Sequence, residues 1–330
     1  MTINVLNPGL LATLQDIGRH GSQKYGVIVS GAMDSYSLRI ANILVGNPQD
    51  EGAVEISLFG TTLQFNEDTV VAITGGDLQA TIDGFIAPTW RPIIIKKGSV
   101  LKFGFALEGC RAYVSIAGGF DTPRIMGSKS TYITAGIGGI EGRPLQQGDT
   151  LTCGELTEMN KKLYEKLARS ESTSDWLVPY HSLISLKSLQ TIRMIEGTEF
   201  ERFDDSSIEA FLNTPYIVTP HSNRMGSRLE GPSILLKEKF ELLSEGVTFG
   251  TVQIPPSGKP IILMADRQTT GGYPKIGQVI TADLGSLSQL KPGGKLRFEV
   301  VSHSEAERLL LLKEEIIREI EIGVTYKIVR

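Results

Sequence analysis

The chain has 330 residues and a formal net charge of −4, and 41% of its residues are hydrophobic. This length is too great for one typical domain and suits two, and the apolar content is sufficient to bury sizeable cores. Lysine and arginine are spread along the chain and are balanced by aspartate and glutamate, which argues against a nucleic-acid partner.

The N-terminal segment and the cysteines indicate the compartment. Residues 1–10 lack the basic and apolar segments of a signal peptide, and no stretch is apolar enough to cross a bilayer. Cys110 and Cys153 are too few for a disulfide framework and show no metal-binding spacing. We therefore expect a cytoplasmic protein without a membrane partner, whose two cysteines are small buried hydrophobes.

Short strands are predicted throughout the first half of the chain. Asp83-Gly84 lies between two apolar runs and predicts a tight hairpin, because both central positions of a type I′ turn need positive φ. One helix, residues 35–44, follows Asp34, which is a favourable N-cap residue. The predicted strands are 70–73, 78–82, 92–95, 100–105 and 112–117.

The chain changes character after residue 154. Residues 159–168 predict a short charged helix, and residues 170–174 predict a polar loop. A domain boundary in this polar stretch gives three parts. These are an N-terminal β-barrel domain at 1–153, a helical and polar connection at 154–188, and a C-terminal β-barrel domain at 189–330.

The second half of the chain, like the first, has short predicted strands separated by glycine and proline. Residues 304–320 form a long amphipathic helix, predicted to pack on the barrel, and residues 324–329 alternate like a final strand. A weak similarity between residues 97–103 and 293–298 favours two related units. The fold class is therefore mainly β, with two barrel units, a few short helices and a C-terminal amphipathic helix. Further strands are predicted at 190–195, 248–254, 260–264 and 278–280, and further helices at 207–212 and 283–290.

Two glycine-rich segments resemble nucleotide loops only superficially. Residues 126–131 lack the glycine that the phosphate-loop pattern requires before its lysine, since Ser128 precedes Lys129. Residues 135–142 have Glu141 in place of the third glycine of a dinucleotide loop. Both segments are more typical of turns, although a backbone anion nest remains an alternative. Lys129 is therefore kept as a candidate substrate-binding residue.

The histidines give no indication of a metal site. No pair has the spacing of two ligands on one helix face, and no carboxylate cluster accompanies them. No nucleophile elbow is present either. The four histidines are His20, His181, His221 and His303.

Residues 221–232 form the first of two unusually polar segments between apolar strands. Arg224 and Arg228 are four residues apart, and their planar donor forks suit a carboxylate or phosphate. Asn223 precedes them as a further candidate for substrate binding. The alternative is ordinary pairing of these arginines with Glu230.

Residues 265–275 form the second polar segment. It directly follows the apolar run 261–264, and a polar loop held by a rigid strand suits a binding site. The alternative is a turn that satisfies its own backbone. The candidate residues are Asp266, Arg267, Gln268, Thr269, Tyr273 and Lys275.

Two N-terminal segments, residues 15–19 and 29–34, have a similar but weaker polar character. Asp34 is already explained as a helix N-cap.

These motifs together resemble one bacterial family. The resemblance begins with residues 8–19, 29–34 and 41–47, continues through 117–120, 127–132 and 138–143, and ends with 223–232 and 265–275. The family is known as allophanate hydrolase subunit 2, the biotin-dependent carboxyltransferase domain, the KipA antagonist of a sporulation-kinase inhibitor, and the C subunit of 5-oxoprolinase. The resemblance implies cyclophilin-like β-barrel architecture.

The resemblance also implies partners, a cofactor and an activity. The partners are a homologous, KipI-like B subunit and an A subunit. Together they open the lactam of 5-oxoproline to L-glutamate, driven by ATP bound at a composite site. In this interpretation Arg224, Arg228 and Lys275 are catalytic.

Two alternatives remain open. One is a carboxyltransferase subunit acting on a urea-like substrate, and the other is a regulator that binds a kinase inhibitor without chemistry. The chain has no Met-Lys-Met biotin-attachment sequence and no ATP motif, so any biotin lies on another chain. It departs mildly from the family pattern at Asn223, where Asp is more common, and at Ser227, where an aromatic residue is common.

Overall fold

The computed structural model describes residues 1–170, 173–238, 240 and 242–330. Its chain contacts define two compact units. The predicted mainly β class is confirmed, while the predicted domain bounds at 153 and 189 stay a prediction. The first unit comprises residues 1–20, 30–184 and 315–330, and the second comprises residues 21–29 and 185–314.

Two antiparallel sheets build the first unit. The strands are β1 (Thr2–Pro8), β2 (Leu11–Gln15), β3 (Ala53–Ser57), β4 (Thr61–Phe65), β5 (Thr69–Asp77), β6 (Thr81–Ile82), β7 (Phe85–Ile86), β8 (Pro92–Ile95), β9 (Val100–Lys102), β10 (Glu108–Ile116) and β11 (Thr150–Thr152). One sheet has the order β11-β1-β4-β9-β6-β7, and the other has the order β2-β3-β10-β5-β8. The predicted hairpin is confirmed, since Asp83 and Gly84 join β6 to β7 with φ of 51° and 87°.

Both sheets contribute to one apolar core. Ile3 of β1 and Leu63 of β4 join Val54 and Ile56 of β3 in a single cluster of buried side chains. Alternate residues of a strand point to opposite faces, so Val54 and Ile56 share the core face. Ala53, on the other face of β3, is also buried, and it packs in a second cluster under a helix.

That helix is α1 (Ser35–Leu44), which has the predicted bounds. Asp34 caps it, because its carboxylate accepts hydrogen bonds from the Ser37 backbone nitrogen at 3.1 Å and the Ser37 hydroxyl at 2.6 Å. The second helix of this unit is α2 (Glu158–Ala168), which confirms the helix predicted at 159–168. Two residues of the polar loop predicted at 170–174 lie outside the described residues.

A closed seven-stranded barrel forms the second unit. Its strands and two short helices are β12 (Leu189–Glu196), α3 (Asp205–Asn213), β13 (Tyr216–Val218), β14 (Gly226–Glu230), β16 (Thr251–Gln253), β17 (Ile261–Leu263), β19 (Lys275–Val279), α4 (Leu284–Ser288) and β20 (Lys295–Val300), and a separate two-stranded sheet comprises β15 (Glu245–Gly246) and β18 (Thr270–Gly271). The barrel order is β12-β19-β16-β17-β14-β13-β20, and parallel pairing of β12 with β20 closes it. Phe211 of α3 stacks on Phe298 at 4.4 Å between ring centroids, which packs α3 onto the barrel.

The last element is α5 (His303–Val329), and here one prediction was wrong. A helix was expected to end near residue 320 and a strand to occupy 324–329, but the helix continues. Ile317, Val324 and Ile328 are buried, whereas Tyr326 is 55% exposed. The apolar spacing is thus seven and four residues, the period of a helix face, and not the alternation of a strand.

No helix among residues 1–170, 173–238, 240 and 242–330 is both long and apolar enough to span a membrane. Cys110 and Cys153 are buried, as predicted.

The packing of α5 gives a first testable prediction. Ile317 has no exposed surface, so Ile317→Ala removes buried methyl groups and leaves a cavity. We expect the free energy of unfolding to fall by about 2–5 kcal/mol, measured by chemical denaturation. Ile322, which is 60% exposed on the same helix, provides the matched control, and Ile322→Ala should change stability by less than about 0.5 kcal/mol. Equal effects of the two changes would contradict the observed helix face.

Candidate functional site

The two polar segments singled out from the sequence meet at one end of the barrel. β14 and β17 are antiparallel neighbours, and Gly226 lies opposite Leu263. The segment before β14 therefore lies beside the segment after β17. The Asp266 backbone nitrogen donates to the carbonyl oxygen of Arg224 at 2.8 Å, and that of Met264 donates to Met225 at 3.0 Å. We call residues 221–228 and 264–275 the barrel-end loops.

A buried ion pair joins the barrel-end loops. Arg224 Nε and Nη2 donate to Asp266 Oδ2 and Oδ1 at 2.8 and 2.9 Å, and both residues are buried. Such a two-point pair fixes both side chains in one orientation. Glu230, the alternative partner considered from the sequence, instead accepts from Lys259 Nζ at 2.7 Å.

Arg228 differs from Arg224 in its surroundings. It is exposed on β14, and its backbone nitrogen donates to Ser222 Oγ at 3.0 Å. Arg224 is buried in its ion pair with Asp266, whereas Arg228 faces solvent. This differs from the two-arginine clamp expected from their spacing.

Asn223 shapes the first loop. Its Oδ1 accepts hydrogen bonds from the backbone nitrogens of Met225 at 2.8 Å and Gly226 at 3.2 Å. The side chain thus satisfies backbone donors in the turn that leads into β14, as asparagine commonly does. Although its amide oxygen makes these two hydrogen bonds, Asn223 is an exposed residue.

Lys275 lies between two glutamates that sequence reasoning did not include. Its Nζ lies 2.5 Å from Glu245 Oε2 and 3.5 Å from Glu199 Oε2. Its backbone nitrogen also donates to Glu199 Oε2 at 2.9 Å. Glu199 is 76 residues away and follows β12, so no local pattern in the sequence points to it.

Glu245 belongs to the small β15–β18 sheet, whose other strand comes from the second loop. It lies opposite Gly271, and Gly246 lies opposite Thr270. The Lys275–Glu245 ion pair therefore fastens this small sheet to the start of β19.

The remaining candidates are arranged along the second loop. Gln268 is exposed, Tyr273 is 45% exposed, and Thr269 is half-buried with its carbonyl oxygen accepting from the Val247 nitrogen at 3.1 Å. Arg267 is half-buried, and burial lowers its pKa to about 10. Because its guanidinium stays charged at neutral pH, the loop presents a cation next to exposed amide and hydroxyl groups.

Lys129 belongs to the first unit, where a different polar cluster surrounds it. Its Nζ donates to the carbonyl oxygen of Phe120 at 2.6 Å and pairs with Glu51. Its backbone nitrogen donates to Asp16 Oδ2 at 2.6 Å, and the hydroxyls of Ser128 and Ser130 donate to Asp16 Oδ1 at 2.7 and 2.5 Å.

Asp16 thus occupies the position that an anion would take in a backbone nest. It is 1% exposed, and it also accepts from the Gly18 nitrogen at 2.8 Å. Segment 15–19 shows only a weak polar character in the sequence. Its one acidic residue, Asp16, is the feature that could have pointed to this cluster. The glycine-rich segment 135–142 forms tight turns, since a Cβ on Gly142 would lie 2.0 Å from the Gly136 carbonyl carbon.

The described residues contain no group of three or more His, Cys, Asp or Glu side chains able to hold a metal ion. What the barrel-end loops offer chemically is a set of cations and neutral hydrogen-bond donors on a rigid barrel, which suits binding of an oxyanion or stabilisation of developing negative charge.

Similar proteins are known for nearly the whole chain. Residues 25–300 match the model of the carboxyltransferase domain, subdomain A and B. The chain is 39% identical to the C subunit of 5-oxoprolinase from Haemophilus influenzae, over 93% of this chain and 94% of that protein. It is 38% identical to the C subunit of 5-oxoprolinase from Escherichia coli, over 92% and 93% of the two chains.

A solved structure shows the same fold in a larger protein. The crystal structure of the K. lactis urea amidolyase is similar with a TM-score of 0.87 and 31% identity. The likeness covers 97% of this chain and 20% of that one. This chain therefore spans about a fifth of the length of that larger protein.

The buried ion pair gives a second testable prediction. Asp266→Asn removes the negative charge from this buried ion pair, and we expect the free energy of unfolding to fall by about 3–5 kcal/mol. Glu230→Gln is the matched control, because it breaks an exposed ion pair with Lys259 and should cost about 0–1 kcal/mol. Urea denaturation of both variants measures the difference. If the Asp266 variant were as stable as the control, the pair would not hold the barrel-end loops.

Proposed function

The chain belongs to the family of the carboxyltransferase domain, subdomain A and B, and on this premise we propose that it is the C subunit of an ATP-dependent 5-oxoprolinase. The observation that carries the proposal is the similarity to two proteins that are named as the C subunit of 5-oxoprolinase, at 38–39% identity over more than nine-tenths of each chain. The urea amidolyase likeness is lower in identity and confined to a fifth of that protein.

The proposed reaction opens the lactam ring of 5-oxoproline to L-glutamate. ATP transfers a phosphoryl group to the lactam oxygen, which makes the attached carbon more electrophilic. One water then adds to that carbon, the ring C–N bond breaks, and a proton goes to the nitrogen. A second water releases the phosphate, so the products are L-glutamate, ADP and phosphate.

In this reaction the barrel-end loops stabilise negative charge. Charge develops on oxygen when water attacks and when phosphate leaves, and fixed cations are most effective at such positions. We propose that Arg228 and Lys275 serve this purpose and that Arg224, through Asp266, holds the two loops in register. Lys275 acts in this way once Glu245 moves aside, because the two are paired at 2.5 Å.

The site is proposed to be composite. The described part of this chain has no recognisable ATP-binding loop, and the segment that most resembles one donates its hydrogen bonds to the Asp16 carboxylate. We therefore propose that a homologous B subunit and an A subunit complete the ATP and substrate sites. We propose that the substrate contacts four residues of the barrel-end loops, namely Asn223, Gln268, Thr269 and Tyr273. Lys129, in the first unit, stays a proposed substrate-binding residue.

A second candidate function is a carboxyltransferase subunit acting on a urea-like acceptor. The fold likeness to the K. lactis urea amidolyase over 97% of this chain favours it. It requires a biotin carried on another chain. Two observations distinguish this function from 5-oxoprolinase activity: the product that is formed, and whether a biotinylated partner is required.

The third testable prediction concerns activity. Co-purification of this chain with A and B subunits should give ATP-dependent release of glutamate from 5-oxoproline. Omitting this chain should abolish it, because the barrel-end loops would be missing from the site. Glutamate is measured by an enzyme-coupled assay. Complex formation without glutamate would contradict the proposal and favour the carboxyltransferase or a regulatory binding role.

A fourth prediction tests the proposed cations within the intact complex. Lys275→Ala and Arg228→Ala should each lower the rate of glutamate release by roughly 10²-fold or more, the usual loss when a charge-stabilising donor is removed. Arg297 is exposed on β20, and Arg297→Ala is the control for loss of a positive charge. Unchanged activity of the two loop variants, with the complex still assembled, would exclude these residues from the site.

A further inference from the structure

Arg267 differs from the other arginines of the second unit that have an acidic neighbour. Arg193 makes a two-point pair with Asp283 at 2.9 and 2.5 Å, and Arg224 makes one with Asp266. Arg267 follows Asp266 directly in the chain, but both oxygens of that carboxylate are used by Arg224. Asp266 is thus held by Arg224, and the hydrogen bonds of Arg267 go to backbone carbonyl oxygens instead.

The hydrogen bonds of Arg267 are weak. Its Nη1 lies 3.4 Å from the carbonyl oxygens of Met264 and Ala265, which is beyond the usual range for such bonds. Its Nε is buried without a hydrogen-bond partner. Among the described residues, no acidic side chain forms an ion pair with this guanidinium.

Burial without neutralisation is unfavourable for a cation. The protein withdraws part of the hydration of Arg267, which lowers its pKa to about 10, and the attraction of Asp266 does not compensate. A side chain with no binding role would more favourably extend into water, as the long flexible arginine stem allows. The second loop instead holds it back against the end of β17.

Two residues with neutral hydrogen-bond donors follow Arg267 directly in the chain. Gln268 is exposed and Thr269 is half-buried next to it in the chain, and both carry neutral hydrogen-bond donors. A partly desolvated guanidinium attracts a carboxylate or phosphate more strongly than a solvated one does. Arg224 and Lys275 are already neutralised by glutamate or aspartate, so they have less charge to offer an incoming anion.

We propose that Arg267 is the anion-binding residue of the barrel-end loops and takes an oxyanion group, carboxylate or phosphate, from a small-molecule ligand. The identity of that ligand rests on the proposed function. In that setting the two sources of the oxyanion are the carboxylate of 5-oxoproline and a phosphate of ATP. Binding itself requires no turnover and is measurable separately.

The test compares Arg267→Gln with the control Arg297→Gln, which removes the same charge from an exposed position on β20. The probes are 5-oxoproline, its uncharged analogue 2-pyrrolidinone, and ATP. Dissociation constants are measured by titration calorimetry on the full chain and on the complex with its partners. Loss of a charge-assisted hydrogen bond predicts a weakening of roughly tenfold or more for the anion that Arg267 binds.

The outcomes identify the source of the oxyanion. Weaker binding of 5-oxoproline, with 2-pyrrolidinone unaffected, supports the proposal and assigns the carboxylate. Weaker binding of ATP alone supports it and assigns a phosphate. Equal affinities of the Arg267 and Arg297 variants for both anions, or no anion binding by the unsubstituted protein in either form, would overturn it.

A stability measurement separates binding from a structural role. Because Arg267 is desolvated and not neutralised, Arg267→Gln should leave the melting temperature of the ligand-free chain unchanged or higher. A clear fall in melting temperature would show that the residue supports the fold and would count against the proposal. Arg267→Lys, which keeps the charge but loses the planar fork, should bind the anion with intermediate affinity.

The results also distinguish this inference from the proposed function. If glutamate release fails but anion binding depends on Arg267, the oxoprolinase proposal falls and the anion site stands. If glutamate is released but Arg267→Gln leaves the KM for both substrates unchanged, the anion site falls and the oxoprolinase proposal stands.

Discussion

The barrel-end loops depend on the buried ion pair between Arg224 and Asp266. Removing two charges from water is costly, and only a close two-point geometry such as the 2.8 and 2.9 Å contacts here offsets the cost. The pair joins segments that are 42 residues apart and fixes the start of the second loop against the first. The same pair orients the Asp266 carboxylate toward Arg224, and Arg267, the next residue, makes no ion pair among the described residues.

The charges of the second unit therefore fall into two kinds. Arg224 and Lys275 are buried and balanced by Asp266, Glu199 and Glu245, which makes them well suited to maintain geometry. Arg228 and Arg267 are less well balanced and lie at or near the surface. A ligand with negative charge meets the second kind first, and it meets the first kind only if an existing ion pair opens.

The sequence predicted those features that depend on local chemistry. Asp34 and Asp83-Gly84 indicated the start of α1 and the β6–β7 turn, because caps and turns are decided by neighbouring residues. It also located both barrel-end loops. The ion-pair partners of Lys275 were not predictable from local sequence. Glu199 and Glu245 are distant from Lys275 in the chain, and the closed barrel and the β15–β18 sheet bring them next to it. A strand was wrongly predicted at the C-terminus because the apolar residues Val324, Tyr326 and Ile328 occupy alternate positions. In the structure Val324 and Ile328, four residues apart, are buried on one face of α5, and Tyr326 is exposed.

The Asp16 cluster has a consequence for how nucleotide loops are identified. The turn at residues 128–130 directs a backbone amide and two hydroxyls at one point, as a phosphate-binding loop does, but the chain supplies its own carboxylate there. A ligand tethered to the same fold acts at an effective concentration of about millimolar or above. A free phosphate competing for these donors would have to displace the Asp16 carboxylate, which stays attached to the chain, so the shape of this loop does not by itself indicate a nucleotide site.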